Sequence, residues 1–231
     1  MTLTSQVFPI MSGTATEEQI RQIVSSADTY LYKEEIGGYR LNTDFGDGRE
    51  DMGRAFGFAY GHKENGAIFS HMTVMYANAL LKRGFVREGF QALEALYRQA
   101  QDFEHSRIYP GLPEYFSDTG RGMYPYLTGS ASWMLMTVLV EICGIRGEYG
   151  RLVFRPRLMK QLLDKEGCLG VHMEFAGVPL YIRFETHSGA EVYSTVEAVW
   201  LDEKPVGTDG ISAEMLQGGT GERQVRVLIN G

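Results

Sequence analysis

The feature that most constrains what this chain can fold into is a change of hydrophobic period near residues 144–150. Upstream of it apolar residues recur at helical spacing; downstream they alternate, as in strands that bury one face. Helical patterning followed by strand patterning specifies an α+β protein whose helices and strands occupy separate regions.

The helical signals are local. Thr16 followed three residues later by Gln19 is a capping box, and the helix it opens runs through Ile20, Ile23, Val24, Ala27 and Leu31. A second helix is predicted over 68–83, with Met72, Met75, Tyr76, Ala79 and Leu80 recurring before Gly84 stops it. A third covers 86–101, with Phe90, Leu93, Leu96 and Tyr97 on one face. A fourth, over 130–143, is apolar nearly all round, which suits a helix inside a larger assembly. Two aperiodic segments, 35–66 and 103–127, lie between these helices and are rich in Gly, Tyr, Pro and acidic residues. Connections of that length are unusual unless they carry function.

Strands are predicted at 152–154, 170–175, 178–185, 191–201 and 224–229. The turns between them are Ala176-Gly177, His187-Ser188-Gly189 and Asp202-Glu203-Lys204-Pro205, and the spacing points to a β-sandwich.

Charge and composition exclude several functions. A formal charge of −7 disfavours a nucleic-acid partner, since binding that polyanion depends on Lys and Arg neutralising phosphates. A local basic pocket for a small phosphate remains compatible with it. Cys143 and Cys168 match no metal-ligand spacing, so no metal is expected and the chain fits a reducing, cytoplasmic setting. The first residues, Met1-Thr2-Leu3-Thr4-Ser5-Gln6, lack the charged and apolar regions of a signal peptide. The longest apolar stretch, 133–140, is too short to cross a bilayer, and no membrane partner is expected.

Three segments concentrate chemistry. Gly61-His62-Lys63-Glu64-Asn65-Gly66 and the following Phe69-Ser70-His71 bring a cation, a carboxylate, an amide, a hydroxyl and imidazoles to the start of a helix. Tyr126-Leu127-Thr128-Gly129-Ser130 precedes the most apolar helix, where unpaired N–H groups and a glycine permit close approach of an anion. Arg107-Ile108-Tyr109-Pro110-Gly111-Leu112-Pro113-Glu114-Tyr115 is an aromatic and charged loop able to wall a sugar pocket. Each segment taken alone also has a structural reading. Thr128 and Ser130 can cap a helix, His71 can be a core histidine, Lys63 and Glu64 a solvated pair, and the loop plain packing.

Two of these segments, Lys63-Glu64-Asn65-Gly66 with Phe69-Ser70-His71, and Leu127-Thr128-Gly129-Ser130-Ala131-Ser132-Trp133-Met134, together resemble glycoside hydrolase family 94. That family contains cellobiose, chitobiose and related β-glucan phosphorylases and a domain of cyclic β-1,2-glucan synthases. Ser5-Gln6 with Ser12-Gly13, Gly144-Ile145-Arg146, and Leu152-Val153-Phe154-Arg155-Pro156 resemble other stretches of it, so the likeness covers nearly the whole chain. The resemblance implies the last part of an (α/α)6 barrel over 1–146 and a C-terminal β-sandwich over 147–231. It implies a phosphate site at His71, Thr128 and Gly129, and acceptor-sugar contacts from Lys63 and Glu64. No cofactor is implied beyond inorganic phosphate as co-substrate.

The family's general acid is an aspartate upstream of the segment matching Ser5-Gln6, and a further phosphate-binding arginine also lies upstream. Neither has a counterpart here. The expectation is therefore a C-terminal portion of an inverting β-glucoside phosphorylase, inactive or nearly so alone. The alternatives are a non-catalytic carbohydrate- or phosphate-binding remnant and a purely structural one. The segments 38–46 and 51–54 do not look like the shorter loop of cellobiose enzymes, which leaves a β-1,2-oligoglucan or another β-linked glucan as substrate. Apolar helix faces left uncovered in a partial barrel predict a homo-oligomer or association with the missing N-terminal half.

Overall fold

A computed structural model describes residues 1–46, 48–108, 111–126, 128–217 and 221–231. The content of helix and strand is that of an α+β protein, in two compact units, Met1–Thr137, mainly helical with short strands, and Val138–Gly231, mainly strands.

The first unit contains helices α1 (Thr4–Ser12), α2 (Glu17–Tyr30), α3 (Ser70–Lys82), α4 (Val86–Gln101), α5 (Phe103–Ser106) and α6 (Gly129–Met136). The capping box forms at the start of α2, where the Thr16 hydroxyl accepts from Gln19 N and the Gln19 side chain accepts from Thr16 N. Gly84 follows α3 in the left-handed region, at φ 85°, and ends it. Helix α1 has no counterpart in the sequence reading, because Pro9 inside it argues against a helix.

Short strands thread between these helices: β1 (Tyr32–Lys33), β2 (Gly38–Tyr39), β3 (Ile68–Phe69), β4 (Tyr115–Phe116) and β5 (Gly122–Met123). β1 pairs with β2, and β3–β4–β5 form an antiparallel three-stranded sheet. The helix predicted from residue 68 thus begins at Ser70, since Ile68 and Phe69 are pledged to Phe116 and Tyr115. The helix predicted over 130–143 also differs: α6 ends at Met136 and passes into a π-helical segment, Thr137–Ile142. The core of this unit is built on Leu3, Ile10, Ile20, Leu31, Leu80 and Leu96, all fully buried.

The second unit is mostly strands: β6 (Ile145–Glu148), β7 (Arg151–Phe154), β8 (Leu158–Met159), β9 (Cys168–Phe175), β10 (Val178–Glu185), β11 (Val192–Tyr193), β12 (Thr195–Leu201), β13 (Lys204–Val206), β14 (Ile211–Ser212) and β15 (Arg223–Asn230). A five-stranded sheet runs β13-β12-β15-β10-β9, antiparallel except for the parallel β10–β15 pair. Its inner face carries Leu180, Ile182, Phe184, Val225, Val227 and Ile229 at no more than 1% exposure, which is the alternation the sequence shows. A three-stranded sheet, β14-β7-β6, lies against it, with Phe154 edge-on to Phe184 at 6.2 Å. The single strand predicted over 191–201 is two, β11 and β12, paired with different partners.

Glu141 is 5% exposed and is held by Arg146 at 2.6 Å and Arg157 at 2.9 Å, so its buried charge is fully paired. Both cysteines are free and buried. Among the described residues no helix is long and apolar enough to cross a membrane, and no cluster of three His, Cys, Asp or Glu side chains is placed to hold a metal ion.

Candidate functional site

The loop that carries Lys63 and Glu64 is a tight hairpin whose shape is set by two buried asparagines. Gly61 N donates to Asn65 O at 2.7 Å and Asn65 N to His62 O at 3.0 Å. The Asn65 side chain donates to Phe58 O at 2.6 Å and accepts from Asn42 Nδ2 at 3.0 Å, while Asn42 Oδ1 accepts from Gly66 N at 2.9 Å. The amide of Asn65 is therefore spent on the loop rather than offered to a ligand. Gly66 is obligatory: its φ is 80°, and a Cβ there would meet the Tyr60 ring at 2.2 Å.

At the tip, Lys63 takes a left-handed conformation, φ 47°. Its ammonium stands 5.0 Å from the Phe58 ring centroid and 5.4 Å from that of Tyr124, two faces that attract a cation. Glu64 points one carboxylate oxygen, Oε2, into a buried position with no hydrogen-bond partner among the described residues.

The β3–β4–β5 sheet brings the second half of the cleft to this hairpin. Ser70 N donates to Glu114 O at 2.9 Å, and Glu114 N donates to Met123 O at 3.2 Å and Tyr124 O at 3.0 Å. Glu114, Tyr115 and Tyr124 thereby join Lys63, Glu64 and Phe69 around a cleft of about 260 Å³. Burial, then the neighbouring Tyr124, Glu114 and Glu64, push the Tyr115 phenol above its ordinary pKa and keep it a neutral donor at physiological pH.

One turn along the chain, α3 meets α6. The His71 ring lies against Gly129 so closely that a Cβ on Gly129 would stand 2.9 Å from its Cε1 and 3.1 Å from its Nδ1. Trp133, one helical turn after Gly129, closes the other flank with its ring 5.4 Å from the imidazole. Thr128 is the N-cap of α6: its hydroxyl accepts from Ser130 N at 3.2 Å and lies 2.9 Å from Ser130 Oγ. Ser130 Oγ in turn donates to Pro113 O at 3.3 Å, which ties this helix start to the loop leading into β4.

His71 Nε2 is buried and has no partner among the described residues. Burial lowers the His71 pKa from the ordinary 6.5, so the imidazole is neutral at physiological pH. Helix α6 begins at Gly129, so the positive end of its dipole lies at the residue on which the His71 ring packs. With Ser130 Oγ donating to Pro113 O, the Thr128 hydroxyl hydrogen goes to Ser130 Oγ, so Thr128 can donate to an anion only by turning from that partner.

The fold thus packs His71 on Gly129, beside Thr128 in the chain, and gathers Lys63 and Glu64 into one cleft with Glu114 and Tyr115 from the loop at 107–115. Tyr109 and Pro110 of that loop, and Leu127, lie outside the described residues. His62 is exposed at the hairpin, and Arg107 ends α5 in a left-handed conformation. Sequence reasoning missed Phe58 and Tyr124 as the aromatic flanks of Lys63, because both contacts are set by chain crossings with no periodic signature. Trp133 enters the sequence reading only within the apolar helix and the motif, although its place four positions after Gly129 puts both on one helix face. A larger groove of about 450 Å³ between α1 and α2, lined by Gln6, Gln19 and Gln22 among others, shares no residue with this constellation.

Residues 1–144 match the model of the glycosyl hydrolase 94 superfamily, catalytic domain. The chain is 27% identical over 204 residues to the cellobionic acid phosphorylase of Neurospora crassa, covering 82% of this chain and 25% of that protein. It is 28% identical over 215 residues to the N,N'-diacetylchitobiose phosphorylase of Vibrio proteolyticus, covering 88% of this chain and 26% of that protein. It is 26% identical over 174 residues to the solabiose phosphorylase of Paenibacillus borealis, covering 72% of this chain and 22% of that protein. The chain therefore spans about a quarter of the length of the curated relatives it matches.

Proposed function

The chain belongs to the glycosyl hydrolase 94 superfamily, and we propose that it supplies the phosphate and acceptor-sugar side of an inverting β-glycoside phosphorylase. Such an enzyme transfers a glycosyl group to inorganic phosphate; with a β-glucoside the product is α-glucose 1-phosphate. The three relatives named above are all phosphorylases, which supports this reaction class for the present chain. In this reading the helices up to about residue 146 are part of an (α/α)6 barrel, and 147–231 form a β-sandwich whose two sheets meet at Phe154 and Phe184.

The observation that carries the proposal is the packing of His71 on Gly129 at the start of α6. Phosphorolysis with inversion needs phosphate on one face of the anomeric carbon and a carboxylic acid on the other. A phosphate oxygen forms the new bond to that carbon, the glycosidic bond breaks, and the acid's proton goes to the departing sugar oxygen. The phosphate face needs anion donors in place of a general base. The Gly129 N–H and His71, protonated as the anion enters, are of the right kind, and the Thr128 hydroxyl joins them by turning its hydrogen from Ser130 Oγ to the anion. Lys63 and Glu64 contact the departing sugar. The acid has no counterpart among these residues and is proposed to come from a further polypeptide segment.

Titration with inorganic phosphate tests the anion site. Millimolar binding that His71→Ala weakens about tenfold or more, the loss of one charge-assisted hydrogen bond, is the expected result; equal binding by both proteins contradicts it. A second reading, a sugar- or phosphate-binding remnant without turnover, is favoured by the lack of a residue matching the acid, and a turnover assay separates the two. Leu135 and Met136 are 69% and 60% exposed on α6, and their proposed cover is the remaining polypeptide or a second copy. A chain that sediments as a monomer at high concentration contradicts the second copy.

A further inference from the structure

We propose that the acceptor cleft selects by charge, taking neutral sugars and rejecting those that carry a carboxylate. The inference rests on the reading of this cleft as the acceptor-sugar site. Two carboxylates, Glu64 and Glu114, line it against one cation, Lys63. The positive charge of Lys63 is already placed between the faces of Phe58 and Tyr124, 5.0 and 5.4 Å from their centroids. Arg40, which touches the same hairpin, is engaged by Gly66 O at 2.7 Å and by the Tyr60 ring, and does not line the cleft.

Glu64 adds a specific demand to this net negative field. Its Oε2 is shut off from water and has no donor among the described residues. A buried acceptor left unmatched is costly, and a ligand hydroxyl or ammonium relieves that cost. A ligand carboxylate cannot, because it brings further acceptors and a like charge into a cleft that water only partly screens. Glu114 is fixed at the wall by backbone bonds on both sides, Glu114 N to Met123 O and Tyr124 O and Ser70 N to Glu114 O, so its backbone cannot withdraw to make room. Repulsion of this kind is how a site rejects a near-isostere that it has no means of excluding by shape.

The test compares two ligands of nearly the same shape that differ in charge, D-glucuronamide and D-glucuronate, titrated into the chain by ligand-observed NMR at about pH 7, where the acid is ionised. The expected result is that the amide binds about tenfold or more tightly than the acid, a ratio set by one like-charge contact in a partly screened cleft. Glu114→Gln is expected to narrow that ratio several-fold, chiefly by letting the acid bind more tightly. Equal binding of amide and acid, or tighter binding of the acid, overturns charge selection and leaves the sugar cleft standing. Failure of D-glucose and D-glucuronamide alike to bind overturns the sugar reading of the cleft and the inference with it. Unfolding of Glu114→Gln does not rescue the proposal, because the wild-type ratio decides it.

Discussion

Replacing Gly129 by alanine puts a methyl carbon 2.9 Å from His71 Cε1 and 3.1 Å from Nδ1, where ordinary carbon contacts lie at about 3.5–4.0 Å. Gly129 is the first residue of α6, so no left-handed backbone is at issue and alanine is the better helix former by about 0.5–1 kcal/mol. Against that gain stands overpacking, which costs about 1–3 kcal/mol in a tight contact. The net expectation is a loss of about 1 kcal/mol and a displaced imidazole. If the ring is what the methyl strikes, removing it must reverse the sign. In a His71→Ala background the alanine should be neutral or stabilising by up to about 1 kcal/mol.

Urea denaturation of the four proteins, followed by tryptophan fluorescence, measures the coupling directly. Trp133 lies 5.4 Å from the His71 ring and reports on this contact. A coupling of about 1–3 kcal/mol supports the packing of His71 on the start of α6. The same cost for Gly129→Ala in both backgrounds refutes it, and with it the geometric basis of the anion site.

Three further predictions follow from the same structure. Asn42→Ala removes the buried acceptor of Gly66 N and the donor to Asn65; a loss of about 1–3 kcal/mol in urea denaturation is expected, with weaker sugar binding as Lys63 and Glu64 lose their support. Gly66→Ala should be worse, since it combines a φ of 80° with a 2.2 Å approach to Tyr60; failure to reduce stability contradicts the hairpin geometry. His71, with its pKa lowered from 6.5 in the folded state, binds fewer protons there than in the unfolded chain between those two values. Its contribution to stability is therefore full above pH 6.5 and declines as pH falls through that window. The difference in urea midpoint between wild type and His71→Asn, measured against pH, should show this slope, and saturating phosphate should flatten it by raising the pKa of the bound histidine.

What the sequence made legible follows the range of the forces involved. Helices α2 and α4 are local objects, and a capping box or an unbroken apolar stripe announces them. β10 spans the residues the alternation predicts, because one face of it is wholly buried. The two-residue strands β3, β4 and β5 carry no such pattern; they exist because Ile68 and Phe69 pair with a segment nearly fifty residues on. Glu114 and Tyr124 reach the cleft only through that pairing, so no reading of the sequence alone placed them beside Lys63. Gly129 and Trp133 stand one turn apart on α6 and were visible in the motif, but their meeting with His71 depends on how α3 packs on α6. Residue types and spacing nominate the chemistry here, and nonlocal pairing decides which groups meet.

The most direct test of the central claim joins the chain with a polypeptide carrying the proposed acid-bearing upstream region, and measures release of α-glucose 1-phosphate from β-linked oligoglucans in phosphate. The chain alone should be slower by at least the roughly 10²–10⁴-fold that a general acid contributes. The combination should restore turnover, and His71→Ala in this chain should abolish that restoration. Full activity of the chain alone, or a folded complex that remains inert on every β-linked substrate, contradicts the account.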